Sequence, residues 1–212
     1  MAQTHSQSRE SSSSVVLVTG FGPFHHHTVN ASWAAVQELQ RIGVRDADSD
    51  GVTLAIREIP VAYETVQQTI PKLLNELTPR LCVHVGVSPY NSVVLEKYGK
   101  NSEYLMIDIH GKRPKGQCCV PGGPECLQTK FNLHKIVDKV SRRQSDVEFV
   151  VSSDAGRYLC DFIYYTSLHV NSTPVLFVHV TELEKPYSVH QLAEALKNII
   201  EVLLEEMGNY AA

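Results

Sequence analysis

No run of apolar residues in this chain approaches the roughly 18 residues that a membrane-spanning helix needs. The first residues, Met1 to Ser14, are polar and rich in serine and glutamine, so they do not resemble a signal peptide, and we expect them to form a disordered tail. We therefore expect a cytosolic protein with no membrane partner. The ordered part is expected to be a single domain over residues 15–209.

The chain also lacks an excess of basic residues and a regular pattern of cysteines. Its formal net charge is -4, and lysine and arginine are scattered, so nucleic acid is not an expected partner. Five cysteines are an odd number for a disulfide framework, and Cys118, Cys119 and Cys126 cluster around a turn rich in proline and glycine. Reduced thiols in a reducing compartment fit this pattern better than disulfides do.

Short apolar runs alternate with segments of helical spacing along the chain, which predicts a three-layer α/β/α fold with a twisted, mostly parallel central sheet. Asn30 is expected to cap the first helix, and Pro71 to kink or restart the second. Residues 88–128 contain much glycine and proline and are expected to form an irregular excursion from the sheet. The predicted strands are Val15–Val18, Val52–Ile59, Leu81–Val87, Val147–Ser152 and Pro174–His179, and the predicted helices are those after Asn30, Tyr63–Leu77, Phe131–Val140, the segment around Cys160 to Leu168, and Ser188–Met207.

Two residues near the ends of predicted strands have the chemistry of a cysteine hydrolase. Cys160 follows the strand that ends at Ser152, and His179 ends the next strand. A free thiol has a pKa of roughly 8.5, and an adjacent imidazole or a helix amino terminus increases its reactive thiolate fraction. A helix capped by Ser153 or Asp154, after a turn at Gly156, would carry Cys160 in its first turns.

The local pattern alone leaves structural roles open for these residues. A cysteine flanked by Leu159 and Phe162 is more often a buried core residue than a nucleophile. By the same reasoning, a histidine on an apolar strand, such as His179, is more often a core residue with its hydrogen bonds satisfied.

Several sequence blocks stand in register over nearly the whole ordered chain. These blocks are Thr19–Phe24, Val29–Trp33, Glu58–Val61, His84–Gly86, Leu95–Lys97, Gly116–Cys119, Asp154–Asp161 and Phe177–Val180. Together they resemble the pyroglutamyl peptidase I family (the pyrrolidone-carboxylate peptidases) in its animal form. The resemblance implies a cysteine exopeptidase that removes an amino-terminal pyroglutamyl residue through a thioester, with no cofactor.

The same resemblance implies the site residues. The catalytic set of the family falls on Glu96, Cys160 and His179, and Glu96 would otherwise be interpreted as a solvated carboxylate beside Lys97. The residues that line the pyrrolidone pocket fall on Phe21, Phe24, Tyr158 and Leu159. The expected partners are peptides with an amino-terminal pyroglutamate, and the oligomeric state stays open.

Parts of the sequence are also compatible with a metal site or with a binding protein that lacks activity. A zinc site could join His25, His26 and His27 to Cys118 and Cys119, although consecutive histidines rarely point at one ion. The fold could also belong to a catalytically weak or inactive protein with a binding or regulatory role, because the loops around His25–His27 and Pro89–Asn91 depart from the family pattern. A nucleotide site at Thr19–Gly22 is excluded because the glycine and lysine pattern of such loops is absent.

Overall fold

The computed structural model describes residues 15–24, 28–46 and 51–210, so the predicted tail Met1–Ser14 and the cluster His25–His27 lie outside the described residues. The elements alternate as the sequence predicts. The strands are β1 (Val15–Phe21), β2 (Thr53–Ile59), β3 (Leu81–Val87), β4 (Val93–Glu96), β5 (Tyr98–Lys100), β6 (Cys126–Gln128), β7 (Phe149–Ser152) and β8 (Val175–Val180), and the helices are α1 (Ala31–Ile42), α2 (Tyr63–Leu77), α3 (Leu133–Arg143), α4 (Leu159–Val170) and α5 (Val189–Tyr210).

Six of these strands form the central sheet, in the order β2-β1-β3-β8-β4-β7. The first four are mutually parallel, and β4 pairs antiparallel with β8 but parallel with β7. The mostly parallel α/β sheet that the sequence predicts is therefore confirmed. In a parallel sheet, functional sites lie where the carboxyl ends of the strands meet. Because β7 runs opposite to β8, the carboxyl ends of these two strands lie at opposite ends of the sheet. Strand direction therefore does not by itself bring Cys160 to His179.

Helices cover both faces of this sheet. One apolar cluster packs α1, α3 and α5 on one face, with residues such as Leu39, Ile136 and Leu196 fully or almost fully buried. A second cluster packs α2 and α4 on the other face, around Ile70 and Phe162. Successive side chains of a strand point to opposite faces, so each central strand contributes to both clusters.

The segment 88–128 contains a strand of the central sheet, so its description as an irregular excursion is wrong in part. The four buried residues of β4 insert between β8 and β7. The rest of the segment holds β5 and β6, which pair as a separate two-stranded sheet, and a short 3-10 turn at Lys115–Gln117. A run of four residues is too short to show a period, which is why the sequence did not reveal β4.

The helix boundaries follow local signals at most positions. Asn30 caps α1 as predicted, and its side chain accepts a hydrogen bond from the Ser32 N–H. The predicted restart at Pro71 is wrong, since α2 continues through this residue as one helix. In the described part of the chain, no helix is long and apolar enough to cross a membrane.

Candidate active site

Cys160 is the second residue of α4, and the connection from β7 carries it across the sheet. The predicted cap at Ser153 or Asp154 is wrong, because α4 begins at Leu159 after the extended residue Tyr158, without a side-chain cap. Asp154 instead accepts hydrogen bonds from the Gly156 N–H and from Arg157, and so fixes the turn. Gly156 has a φ of 89°, a conformation that favours glycine and fits the predicted tight turn.

The nucleophile candidate packs directly on strand β3 at Gly86. A Cβ atom at Gly86 would lie 2.7 Å from the Cys160 sulfur and 2.7 Å from the Phe177 ring, so only glycine leaves room for the thiol here. Gly86 is paired with His179 on the neighbouring strand, which places thiol and imidazole on the same face of the sheet.

His179 is held by a buried carboxylate from the strand that sequence periodicity missed. The Nδ1 atom of His179 lies 2.8 Å from the Oε1 atom of Glu96. Glu96 is 1% exposed and His179 is 7% exposed, so water does not compete for this bond. Glu96 is paired with Phe177, two residues before His179, and the antiparallel register of β4 and β8 places both side chains together. The Oε2 atom of Glu96 is buried without a hydrogen-bond partner.

The neighbours of His179 favour its protonated form. Burial alone would lower the pKa of His179, but the charge and hydrogen bond of Cys160, followed by the hydrogen bond and charge of Glu96, outweigh burial and raise the pKa to about 9. Since Nδ1 bonds Glu96, the other ring nitrogen, Nε2, is available to Cys160. This arrangement can stabilise a thiolate–imidazolium pair and transfer a proton at Nε2.

A cavity of about 290 Å³ opens beside these three side chains. All four residues that the sequence assigned to the pocket lie in its wall: Phe21, Phe24, Tyr158 and Leu159. The Tyr158 hydroxyl donates a hydrogen bond to the Ile107 carbonyl, 3.1 Å away, and this bond fixes the ring at the pocket wall. The cavity is therefore walled largely by aromatic and apolar groups, as suits a small uncharged ring.

Further lining and supporting residues were not identified from the sequence. The pocket wall also includes Val61, Ser88 and Tyr90, each brought in by a loop after a strand. Asp161, next to Cys160, is fully buried, and its carboxylate accepts hydrogen bonds from the Lys100 N–H and the Tyr104 hydroxyl. Burial raises the pKa of Asp161 to about 6 despite these bonds. The sequence signals for Asp161 are its position beside Cys160 and its place at the end of the block Asp154–Asp161.

The remaining cysteines are less suited to nucleophilic chemistry. Burial raises the pKa of the Cys82 and Cys119 thiols well above the usual range. Cys118 and Cys126 do not line the cavity that holds Cys160. Among the described residues, no three His, Cys, Asp or Glu side chains form a group that could hold a metal ion, and the His25–His27 part of the zinc hypothesis lies outside them.

Comparison with known proteins agrees with this geometry. A family model described as pyroglutamyl peptidase matches residues 14–202. The chain is 49% identical to pyroglutamyl-peptidase 1 of Homo sapiens, over 90% of both proteins. It is 31% identical to the pyrrolidone-carboxylate peptidase of Pyrococcus furiosus, over 91% of this chain and 99% of the relative.

Solved structures with the same fold are also found. A mutant pyrrolidone carboxyl peptidase from the hyperthermophile Pyrococcus furiosus superposes with a TM-score of 0.80 at 28% identity, covering 91% of this chain and 99% of that chain. A pyroglutamyl peptidase I from Bacillus amyloliquefaciens superposes with a TM-score of 0.77, at 22% identity, covering 90% and 97% of the two chains. The second match concerns the fold alone.

Proposed function

This chain belongs to the pyroglutamyl peptidase family, and we propose that Cys160, His179 and Glu96 carry out its reaction. The protein is a cysteine-type exopeptidase that removes an amino-terminal pyroglutamyl residue from peptides. Cys160 is the nucleophile, His179 the general acid and base, and Glu96 the carboxylate that orients the imidazole. The observation that carries these roles is the 2.8 Å contact between Glu96 and His179 in the pocket that also holds Cys160.

The acylation step uses the thiol and the imidazole together. The Cys160 sulfur attacks the carbonyl that joins pyroglutamate to the next residue, and His179 holds the thiol proton at Nε2. The carbon–nitrogen bond breaks, and His179 delivers the proton to the departing amine. The product is a pyroglutamyl thioester on Cys160 and a peptide shortened by one residue.

Water completes the cycle by attacking the thioester. His179 takes a proton from the water, the carbon–sulfur bond breaks, and Cys160 regains its proton as pyroglutamic acid leaves. Both steps place negative charge on the carbonyl oxygen. The backbone N–H of Cys160 supports this charge, since the first N–H groups of α4 have no partner within the helix.

The raised pKa of His179 predicts the alkaline limit of activity. The imidazolium is present below its pKa of about 9 and loses its proton as the pH rises through that value, so kcat/KM should fall there. Glu96→Gln keeps a hydrogen-bond acceptor for Nδ1 but removes one of the two charges that raise this pKa, the other being that of Cys160, so the alkaline limb should move to lower pH. The measurement is the pH profile of kcat/KM on a fluorogenic pyroglutamyl conjugate.

A matched control for this profile lies on the protein surface. The Oε1 atom of Glu38 is 2.9 Å from the Nδ1 atom of the exposed residue His190, outside the pocket. Glu38→Gln should leave the profile unchanged. An alkaline limb that stays in place or rises in Glu96→Gln would contradict the proposed role of Glu96.

The pocket wall also supports a choice among amino-terminal residues. Pyroglutamate is uncharged because its nitrogen is part of a lactam, whereas amino-terminal glutamine or glutamate brings an ammonium group. Burying that ammonium against Phe21 and Phe24 costs several kcal/mol unless a free carboxylate meets it. The acidic side chains of the pocket already have cationic partners, since Glu96 bonds His179 and Asp154 bonds Arg157.

We therefore expect the enzyme to cleave pyroglutamyl peptides at least about 100-fold more efficiently than matched glutaminyl or glutamyl peptides. Mass spectrometry of a matched peptide set measures the relative kcat/KM values. The set includes an acetylated amino terminus as a control for charge alone, which should also resist cleavage because its chain lacks the ring. Equal cleavage of the pyroglutamyl and glutaminyl peptides, or cuts in the peptide interior, would contradict the proposed substrate.

The chemistry also supports a reducing location such as the cytosol. The mechanism needs Cys160 as a free thiol, and all five cysteines are free in the structure. Activity on the pyroglutamyl conjugate should accordingly require a thiol reductant after the protein has been exposed to air.

A further inference from the structure

Ser88 places a buried hydroxyl in the wall of the pocket without a partner. Its backbone N–H donates to the Val180 carbonyl, 2.9 Å away, so the residue continues the pairing of β3 with β8. The residue is 6% exposed, and its Oγ atom has no hydrogen-bond partner. An unpaired buried hydroxyl lowers the stability of the folded protein, so such groups are rare in native proteins and each one calls for an explanation, such as a bound ligand.

The strand register fixes where this hydroxyl lies relative to the nucleophile. Ser88 is two residues after Gly86, so the two positions share one face of the sheet. His179 lies on that face, and so does the Cys160 sulfur, since a Cβ atom at Gly86 would lie 2.7 Å from it. Ser88 is therefore displaced from the sulfur by about 6.6 Å along the strand, while remaining in the same cavity.

The other buried polar groups of the cavity wall are occupied or charged. Asn30 accepts hydrogen bonds from the N–H and the hydroxyl of Ser32 and donates one to the Gly22 carbonyl. The unpaired Oε2 atom of Glu96 belongs to the carboxylate that holds His179. Among the described residues of this wall, Ser88 is therefore the buried, uncharged residue whose side-chain oxygen is available to a ligand.

We propose that the Ser88 hydroxyl forms a hydrogen bond with the ring amide of the pyroglutamyl residue. The reacting carbonyl bonds to the Cys160 sulfur, so its oxygen stays beside that atom. The ring amide lies a few bonds beyond the reacting carbon, a span comparable to the displacement of Ser88 from the sulfur. A hydroxyl can donate to the ring carbonyl or accept from the ring N–H, which suits a neutral lactam. This inference rests on the proposed function and adds a specificity-determining residue to it.

Two inhibitors distinguish the contribution of this hydrogen bond to binding from the contribution of packing. The first is 2-pyrrolidone, which is the ring amide alone, and the second is cyclopentanecarboxamide, which has a ring of similar shape without the ring amide. Ser88→Ala should raise the inhibition constant of 2-pyrrolidone about three- to tenfold and lower kcat/KM for the pyroglutamyl conjugate by a similar factor. The inhibition constant of cyclopentanecarboxamide should not change.

Stability gives a readout that a structural serine would not produce. Because Ser88→Ala removes an unpaired buried hydroxyl, the midpoint of thermal unfolding should stay the same or rise. Ser92→Ala is the matched control, since Ser92 is buried in the same loop but does not line the pocket, and it should leave both inhibition constants unchanged.

Several results would overturn the proposal. These are an unchanged inhibition constant for 2-pyrrolidone in Ser88→Ala, an equal rise for both inhibitors, or a loss of thermal stability. If the wild-type protein hydrolyses the pyroglutamyl conjugate while Ser88→Ala is indistinguishable from it, only the role of Ser88 fails. If the wild-type protein does not hydrolyse the conjugate, the proposed function fails and this inference fails with it.

Discussion

Cys160→Ala should abolish hydrolysis of pyroglutamyl conjugates and lower kcat by at least about four orders of magnitude, because it removes the atom that we propose as the nucleophile. The fold should survive, since the change deletes one sulfur atom from the first turn of α4, at a site where Gly86 leaves room for the thiol. Steady-state kinetics and thermal unfolding of the same preparation measure both expectations.

The other cysteines provide matched controls for this result. Cys126 is exposed and does not line the pocket, so Cys126→Ala should retain wild-type kinetics. Cys82 is fully buried, and Cys82→Ser should reduce stability while leaving the catalytic thiol in place. Wild-type turnover in Cys160→Ala would contradict the assignment of the nucleophile.

His179→Ala should reduce kcat at least as severely as Glu96→Gln, and by roughly ten thousandfold or more. In the proposed mechanism His179 transfers the proton in both chemical steps, whereas Glu96 orients the imidazole and stabilises its cationic form. Glutamine at position 96 can still accept the hydrogen bond from Nδ1, so part of the orientation should survive. Kinetics of both variants on the pyroglutamyl conjugate give the order directly.

A double variant and a surface variant complete this comparison. Because thiol and imidazole act as one unit, His179→Ala should cost little further activity in a protein that already carries Cys160→Ala. His190→Ala removes an exposed histidine that also contacts a glutamate, and it should leave kcat unchanged. A larger loss in Glu96→Gln than in His179→Ala would mean that the two roles are reversed.

The strands that are continuous apolar runs could be predicted from the sequence. The segment Leu81–Val87 is apolar over most of its length, and buried parallel strands require such a run. The strand β4 could not be found in this way, because a run of four residues is too short to show a period. Its direction, opposite to that of β8, depends on tertiary packing rather than on any local signal.

The three proposed catalytic residues differ in how clearly the sequence alone indicates them. The thiol of Cys160 follows a predicted strand and the imidazole of His179 ends one, and both are reactive groups that residue type alone suggests. Glu96 beside Lys97 resembles an ordinary surface carboxylate, and only the family resemblance singled it out. Its burial comes from the pairing of β4 with β8, which sequence periodicity did not predict.

The start of α4 and the Ser88 hydroxyl are two further features that local sequence patterns do not predict. Asp154 has the chemistry of a helix cap, yet Arg157 and the Gly156 N–H occupy its carboxylate, and α4 begins later. The unpaired state of Ser88 is a property of its surroundings, so no sequence pattern could have revealed it.

Inactivation by iodoacetamide, followed on a fluorogenic pyroglutamyl conjugate and by peptide mapping, tests the central claim most directly. The purified, reduced protein should release the fluorogenic amine, and its activity should fall in step with alkylation of Cys160, regardless of how far the exposed Cys126 is labelled. Absence of amine release before treatment, or loss of activity while Cys160 stays unlabelled, would contradict the account.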